Sequence, residues 1–180
     1  MRITSILLLV AVAVACASST GVEQGSSWYI DDQPAPDTEW RKTDGPFGAQ
    51  LFITDDAKSV YDFWVNEEGG VPIKRIDRAP AGTYVETVVF FIRCAANRRG
   101  ECSVRGFVTV TRSDGRVLAK DQELLLSEKP PPEGYHLGIS EAGAGLELED
   151  FDGSYLFEMR VIDAVANREV QLSQQIVVDR

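Results

Sequence analysis

The stretch FFIRCAANRRGECSVRGF, residues 90–107, constrains this chain more than any other. It places Cys94 and Cys102 eight positions apart, each at the end of an alternating apolar run. In TYVETVVFFIRC, the residues Tyr84, Glu86, Val88, Phe90, Ile92 and Cys94 share one face of an extended strand. In CSVRGFVTV, the shared face is Cys102, Val104, Gly106, Val108 and Val110. Side chains of a strand alternate between faces. Facing Cys94 with Cys102 therefore sets Ile92 opposite Val104 and Val88 opposite Val108. The register that closes a disulfide also gathers an apolar face. It predicts a hairpin whose tip is AANRRGE.

Period-two alternation continues through most of the chain. RSDGR supplies a second hairpin turn at Asp114-Gly115, followed by a strand over about 117–126 that stops before the prolines at 130–132. SYLFEMRVID turns Tyr155, Phe157, Met159 and Val161 inward, and the last strand turns Val170, Leu172, Ile176 and Val178 inward. Shorter strands are expected at 48–53, 71–76, 136–140 and 145–148. DDAKSVYDFWV breaks the rhythm, with Ala57, Val60, Tyr61 and Trp64 at helical spacing. It predicts a short amphipathic helix covering the sheets, with Thr54 or Asp55 as N-cap. About eight or nine short strands with frequent turns predict an all-β fold, an antiparallel β-sandwich.

The first twenty residues, MRITSILLLVAVAVACASST, set one arginine before an apolar run from Ile6 to Ala15. That length suits a signal peptide and is too short for a spanning helix. Ala13 and Ala15 satisfy the small-residue rule for cleavage before Cys16. AVAC also resembles the bacterial lipobox, with alanine where leucine is usual, which implies a diacylated Cys16 held in the membrane. Simple export after Ala15 or Ala17 is the alternative. Either route leads to an oxidising compartment in which disulfides persist, and a lipidated Cys16 leaves Cys94 and Cys102 as the remaining pair. The expected organisation is a signal peptide at 1–15, a flexible linker at 16–46 and a folded domain at 47–180. The linker is rich in Ser, Gly, Asp and Pro, yet carries Trp28 and Trp40, which either pack back on the domain or engage a partner.

Gly153-Ser154-Tyr155-Leu156-Phe157 resembles the G-x-Y-x-C stretch of immunoglobulin strand F, with Phe157 in place of the cysteine. The resemblance implies an immunoglobulin-like sandwich in which Tyr155, entered through Gly153, is a buried corner residue bonded to backbone just upstream. GTYVET at 82–87 echoes the motif, so which strand is F stays open. More broadly, FGAQLFITDDA, FFIRC, GEC, SDG and YLFEMRVID look like a group of uncharacterised exported bacterial lipoproteins. That likeness implies no activity.

The chemistry-bearing residue types do not assemble into a catalytic motif. Cys94 and Cys102 are not a CxxC pair and have no second pair to complete a zinc site. His136 is the one histidine, and GISEAG from Gly138 lacks the second glycine of a nucleophile elbow. Around Gly153 an EF-hand loop would need Leu148 and Met159 as ligands, so it fails, leaving only a looser calcium site at Asp150 and Asp152. Asp55 and Asp56 read as helix-start residues. No cofactor and no metal are expected. A formal net charge of −10 argues against a nucleic-acid binder. Against that acidic background residues 93–120 are basic, and Arg98 and Arg99 at the tip, with Arg93 behind, are the candidate contact for an anion or partner.

The sequence thus predicts an exported, lipid-anchored, non-enzymatic binding or assembly module on the periplasmic side of a bacterial envelope. Its expected partners are an envelope protein or anionic polymer, besides the membrane holding the acyl chains. A soluble periplasmic protein is the alternative location, and an envelope hydrolase with an unrecognised site is the alternative activity.

Overall fold

The strands β6 (Tyr84–Ile92) and β7 (Val104–Arg112), expected to form a hairpin, belong to different sheets. The computed structural model describes residues 28–30, 33–66, 74–129, 137–140 and 142–179. In the first sheet, β6 pairs with β4 (Phe47–Thr54), which pairs with β3 (Arg41–Asp44). The other edge of β6 is divided: β9 (Leu137–Ile139) lies against Phe90–Ile92, and β10 (Gly145–Glu147) against Tyr84–Glu86. The second sheet runs β5 (Arg78–Pro80), β12 (Arg168–Asp179), β11 (Ser154–Asp163), β7, β8 (Val117–Ser127). All its pairings are antiparallel except the parallel β5–β12 contact. A ribbon of β1 (Tyr29–Ile30) and β2 (Gln33–Pro34) precedes them. The fold is an all-β sandwich.

Between the sheets lies one core, with Phe47, Leu51, Ile53, Phe91, Phe157, Met159 and Ile176 among its fully covered members. The inward sets expected for β7, β11 and β12 are all buried. The turn Asp114-Gly115 joins β7 to β8 with Gly115 at φ 89°, a conformation that glycine adopts without strain.

Across the sandwich, inward residues of one sheet face those of the other much as hairpin neighbours face each other. The coincidence of two apolar sets around Cys94 and Cys102 therefore fits an arch between sheets as well as a hairpin within one. The chain takes the arch. The inward face of β6 is also the opposite of the expected one: Val85, Val89 and Phe91 enter the core, while Val88 and Phe90 point outward. Because β6 is buried on both faces, alternation carries little information there. Arg93, at φ 53°, then shifts the phase by one residue and returns Cys94 to the core side.

The outward face of β6 is covered by α1 (Ala57–Asn66), where Ala57 and Val60 meet Val88 and Phe90. Its N-cap is Asp56, and not Thr54 or Asp55: Asp56 Oδ1 accepts the Ser59 N–H at 3.2 Å. Thr54 Oγ1 instead accepts the Asp56 N–H. Trp28 packs on this second cluster, and Trp40 lies 5.7 Å from Phe52 between ring centroids. Both tryptophans thus pack on the domain.

The sheet begins before residue 47, because Arg41–Asp44 pairs with Asp44↔Phe47 through Arg41↔Gln50. RKTD has no apolar alternation and reads as linker, but it is an edge strand that borrows its register from β4. Of the strand expected at 71–76, residues 71–73 lie outside the described residues and 74–76 are not strand; β5 follows at 78–80. The signal segment, Cys16 and His136 also lie outside the described residues.

Candidate functional site

The arch joining the sheets is fixed at its base and at its tip. At the base, Cys94 and Cys102 are disulfide-bonded with Cα atoms 5.8 Å apart. Beside them the Asp163 carboxylate is fully buried. Its Oδ2 accepts the Ala95 N–H at 2.7 Å, and its Oδ1 accepts Val165 and Ala166 N–H at 3.0 and 3.2 Å. One side chain thus ties the arch to the β11–β12 turn. The returning limb is held by Cys102 N–H to Lys129 O and by Ala164 N–H to Ser103 O.

At the tip, Asn97 does most of the folding. Its Oδ1 accepts the N–H groups of Arg99 and Glu101 at 2.8 and 3.1 Å. Its backbone exchanges bonds with Gly100 and Glu101, and its Nδ2 donates to Glu101 Oε2. An asparagine that bonds the backbone two residues on is a turn-forming device. The sequence AANRRGE already carries it, in Asn97 followed three residues later by Gly100.

This scaffold presents the candidate arginines unequally. Arg99 Nε holds Glu101 Oε2 at 2.9 Å, so its charge is shared. Arg93 and Arg98 are exposed and join no ion pair among the described residues. Most other described arginines face carboxylates: Arg78–Asp179, Arg105–Glu123, Arg112–Asp114, Arg116–Glu149, Arg160–Glu169 and Arg168–Asp44. The two remaining exceptions are packed on an aromatic ring. Arg41 and Arg75 lie 5.1 and 4.7 Å from the Trp40 centroid. Arg41 is buried, and desolvation pushes its pKa down from the usual guanidinium value, with Asp37 partly opposing. Arg93 and Arg98 are therefore the exposed described arginines that face neither a carboxylate nor an aromatic ring.

At the far end of β11, Tyr155 is fully buried and its hydroxyl oxygen accepts the Glu149 N–H at 2.9 Å. Phe151 meets its ring edge to face at 5.1 Å. A Cβ at Gly153 would stand 2.3 Å from Ser113 Oγ and 2.5 Å from Phe151, so only glycine lets the chain enter β11 beneath that ring. This corner lies at the Ser154 end of β11 and the arch at the Asp163 end, so sequence proximity to the core does not bring them together. Its role is structural.

The weaker candidates resolve as scaffold. Ser140 is fully buried, and its Oγ accepts the Val89 N–H at 3.1 Å, filling the gap between β9 and β10. Tyr61 Oη lies 3.4 Å away, and burial pushes its hydroxyl pKa up. An oxygen committed to backbone beneath a helix is poorly placed for attack on a substrate. Asp56 caps α1, and its hydrogen bonds from Ser59 hold its carboxyl below the usual range. Among the described residues no group of three or more His, Cys, Asp or Glu is arranged to hold a metal. No described helix is long and apolar enough to cross a membrane.

No family model matches the chain, and no curated protein matches it in sequence. Among solved structures, a family 123 glycoside hydrolase from Clostridium perfringens, described for glycolipid glycan hydrolysis, is similar at 9% identity and a TM-score of 0.41. The likeness covers 73% of this chain and 27% of that one. The cellulose-active LPMO CelS2, in complex with copper, is similar at 18% identity and a TM-score of 0.32, over 58% of this chain and 53% of its own. Likenesses at this distance carry no argument about activity.

Proposed function

We propose that this domain is an exported, non-enzymatic binding or assembly module that meets an anionic partner through the arch at residues 93–103. Arg93 and Arg98 supply the contact. The observation that carries this reading is the contrast in pairing: among the described residues of an acidic chain, the other exposed arginines face carboxylates or stack on Trp40, while these two are exposed and join no ion pair on a loop fixed by a disulfide, Asn97 and Asp163. Pre-ordering a loop removes much of the entropy cost that binding would otherwise meet. Guanidinium suits bidentate contact with carboxylate or phosphate. The acidic remainder repels the same ligand and so orients the approach. The N-terminal signal and the AVAC stretch support export and attachment through an acylated Cys16, with an envelope protein or anionic polymer as the partner. Retention of envelope components on the immobilised chain, compared with the Arg93→Glu, Arg98→Glu double variant, tests the reading. Loss of the same components from the variant supports it, and equal retention at low salt removes it.

A further inference from the structure

The geometry points to a second binding site, a groove for a neutral oligosaccharide on the outer face of the β7–β8–β11–β12 sheet. On that face Glu158 of β11 stands between Thr109 of β7 and Ser173 of β12 in one cross-strand row. The adjoining row is taller: Phe107, Arg160 and Gln171. The step between short and tall rows leaves a trough of about 370 Å³, with Asp121 of β8 and Lys42 of β3 also lining it. Lys42 reaches the trough because the Ser173 N–H donates to Glu39 O at 2.7 Å, which fastens the chain just before β3 to the edge of β12.

The trough is a built feature. Asp121 is one of three non-glycine residues at positive φ among the described residues, at 47°. It sits where the β7–β8 register shifts between Val108 and Val110. Such irregularities re-aim side chains, and strained backbone gathers at ligand sites. The Asp121 N–H donates to Thr109 Oγ1 at 3.1 Å, which fixes the hydroxyl and leaves its proton free to be donated. Arg160 is held in place over Phe107, 4.4 Å from the centroid, and by Glu169 at 3.3 Å. Asp121, Glu158 and Lys42 join no ion pair among the described residues.

The choice of ligand follows from charge and hydrogen-bonding capacity. Arg160 is already matched by Glu169, so Lys42 alone stands against Asp121 and Glu158 and the trough is mixed in sign. A polyanion would meet two unneutralised carboxylates, and a polycation would meet the ammonium and guanidinium groups. A neutral polyol suits both sets, because each hydroxyl donates and accepts. Carboxylates accept from vicinal hydroxyls, Lys42 and Thr109 donate, and the Gln171 amide does either. Half-buried Phe107 gives the rim an apolar edge for sugar C–H groups. Neighbouring strands stand about 4.8 Å apart, close to the length of one pyranose ring, so successive rings meet successive strands.

The test is affinity electrophoresis of the chain through gels containing soluble glucan, mannan or galactan, with calorimetric titration of N-acetylglucosamine oligomers and of polyphosphate. At least one neutral glycan should bind, and raised salt should not weaken it. Glu158→Gln and Asp121→Asn should each bind about tenfold more weakly, as for loss of a hydrogen bond to a charged acceptor, with unchanged melting temperatures. Asparagine tolerates the left-handed conformation at 121, and Lys42→Ala gives a third variant away from the bulge. The Arg93→Glu, Arg98→Glu protein should bind the glycan as the unaltered chain does, which separates this site from the arch. Absence of binding to every neutral glycan, unaltered binding by the Glu158 and Asp121 variants, or salt-sensitive binding to polyphosphate alone overturns the proposal.

Discussion

Asp163 Oδ2 accepts the Ala95 backbone N–H at 2.7 Å, and this one bond joins the arch of the first sheet to the end of the second. The carboxylate is fully buried and takes its remaining bonds from Val165 and Ala166. Asp163→Ala strands three donors, each costing about 1 kcal/mol or more, so a loss of about 3 kcal/mol is expected in urea denaturation. Hydrogen exchange at the Ala95 amide should quicken in the same variant. A midpoint within error of the unaltered protein would show that water replaces the carboxylate without penalty.

The disulfide beside it closes a short loop between sheets. The chain-entropy estimate for a loop of about nine residues is about 2.6 kcal/mol. Replacing Cys94 and Cys102 together by Ala should lower stability by about that amount. In the native, unreduced protein, neither thiol should react with an alkylating agent. Two reactive thiols at these positions would remove the bridge from the account.

How far this arrangement can be read in advance depends on which faces of a strand are buried. β7, β11 and β12 are buried on one face, and their alternation names the core residues directly. β6 lies between the core and α1, so both its faces are apolar and its parity is lost. The cysteine pairing is legible, since no other pair stands near, but its topology is not: inward sets match across a sandwich as well as across a hairpin. β3 is invisible because RKTD takes its order from pairing with β4. In the arch, Asn97 and Gly100 signal the turn, whereas Asp163 reaches Ala95 from 68 residues away and only the fold reveals it. The groove is equally hidden, because Glu158, Thr109 and Ser173 are ordinary solvent-facing residues until register aligns them.

Tyr155→Phe removes the acceptor of the Glu149 N–H and leaves the ring packed against Phe151. A loss of about 1 kcal/mol is expected, seen as a lowered denaturation midpoint with an unchanged slope. No change would mean that the Glu149 N–H finds water once the hydroxyl is gone.

The N-cap of α1 gives stability a pH signature. The Asp56 carboxyl is held below its reference value of 3.8, first by its hydrogen bonds from Ser59. A carboxylate whose folded pKa is depressed contributes stability above its unfolded pKa and loses it as pH falls through the folded value. Asp56→Asn keeps a capping oxygen but cannot titrate, so its melting temperature should fall less steeply below about pH 4. Parallel pH profiles for the two proteins would place the acid sensitivity elsewhere.

In the proposed function, Arg93 and Arg98 on the fixed arch meet an anionic partner. Retention of the chain on immobilised polyphosphate, measured as a function of salt, tests it most directly. Retention at low salt should fall steeply as salt rises, be largely lost in the Arg93→Glu, Arg98→Glu double variant, and survive Arg105→Glu, whose guanidinium already faces Glu123. Equal retention of the unaltered and double-variant proteins at low salt would contradict it.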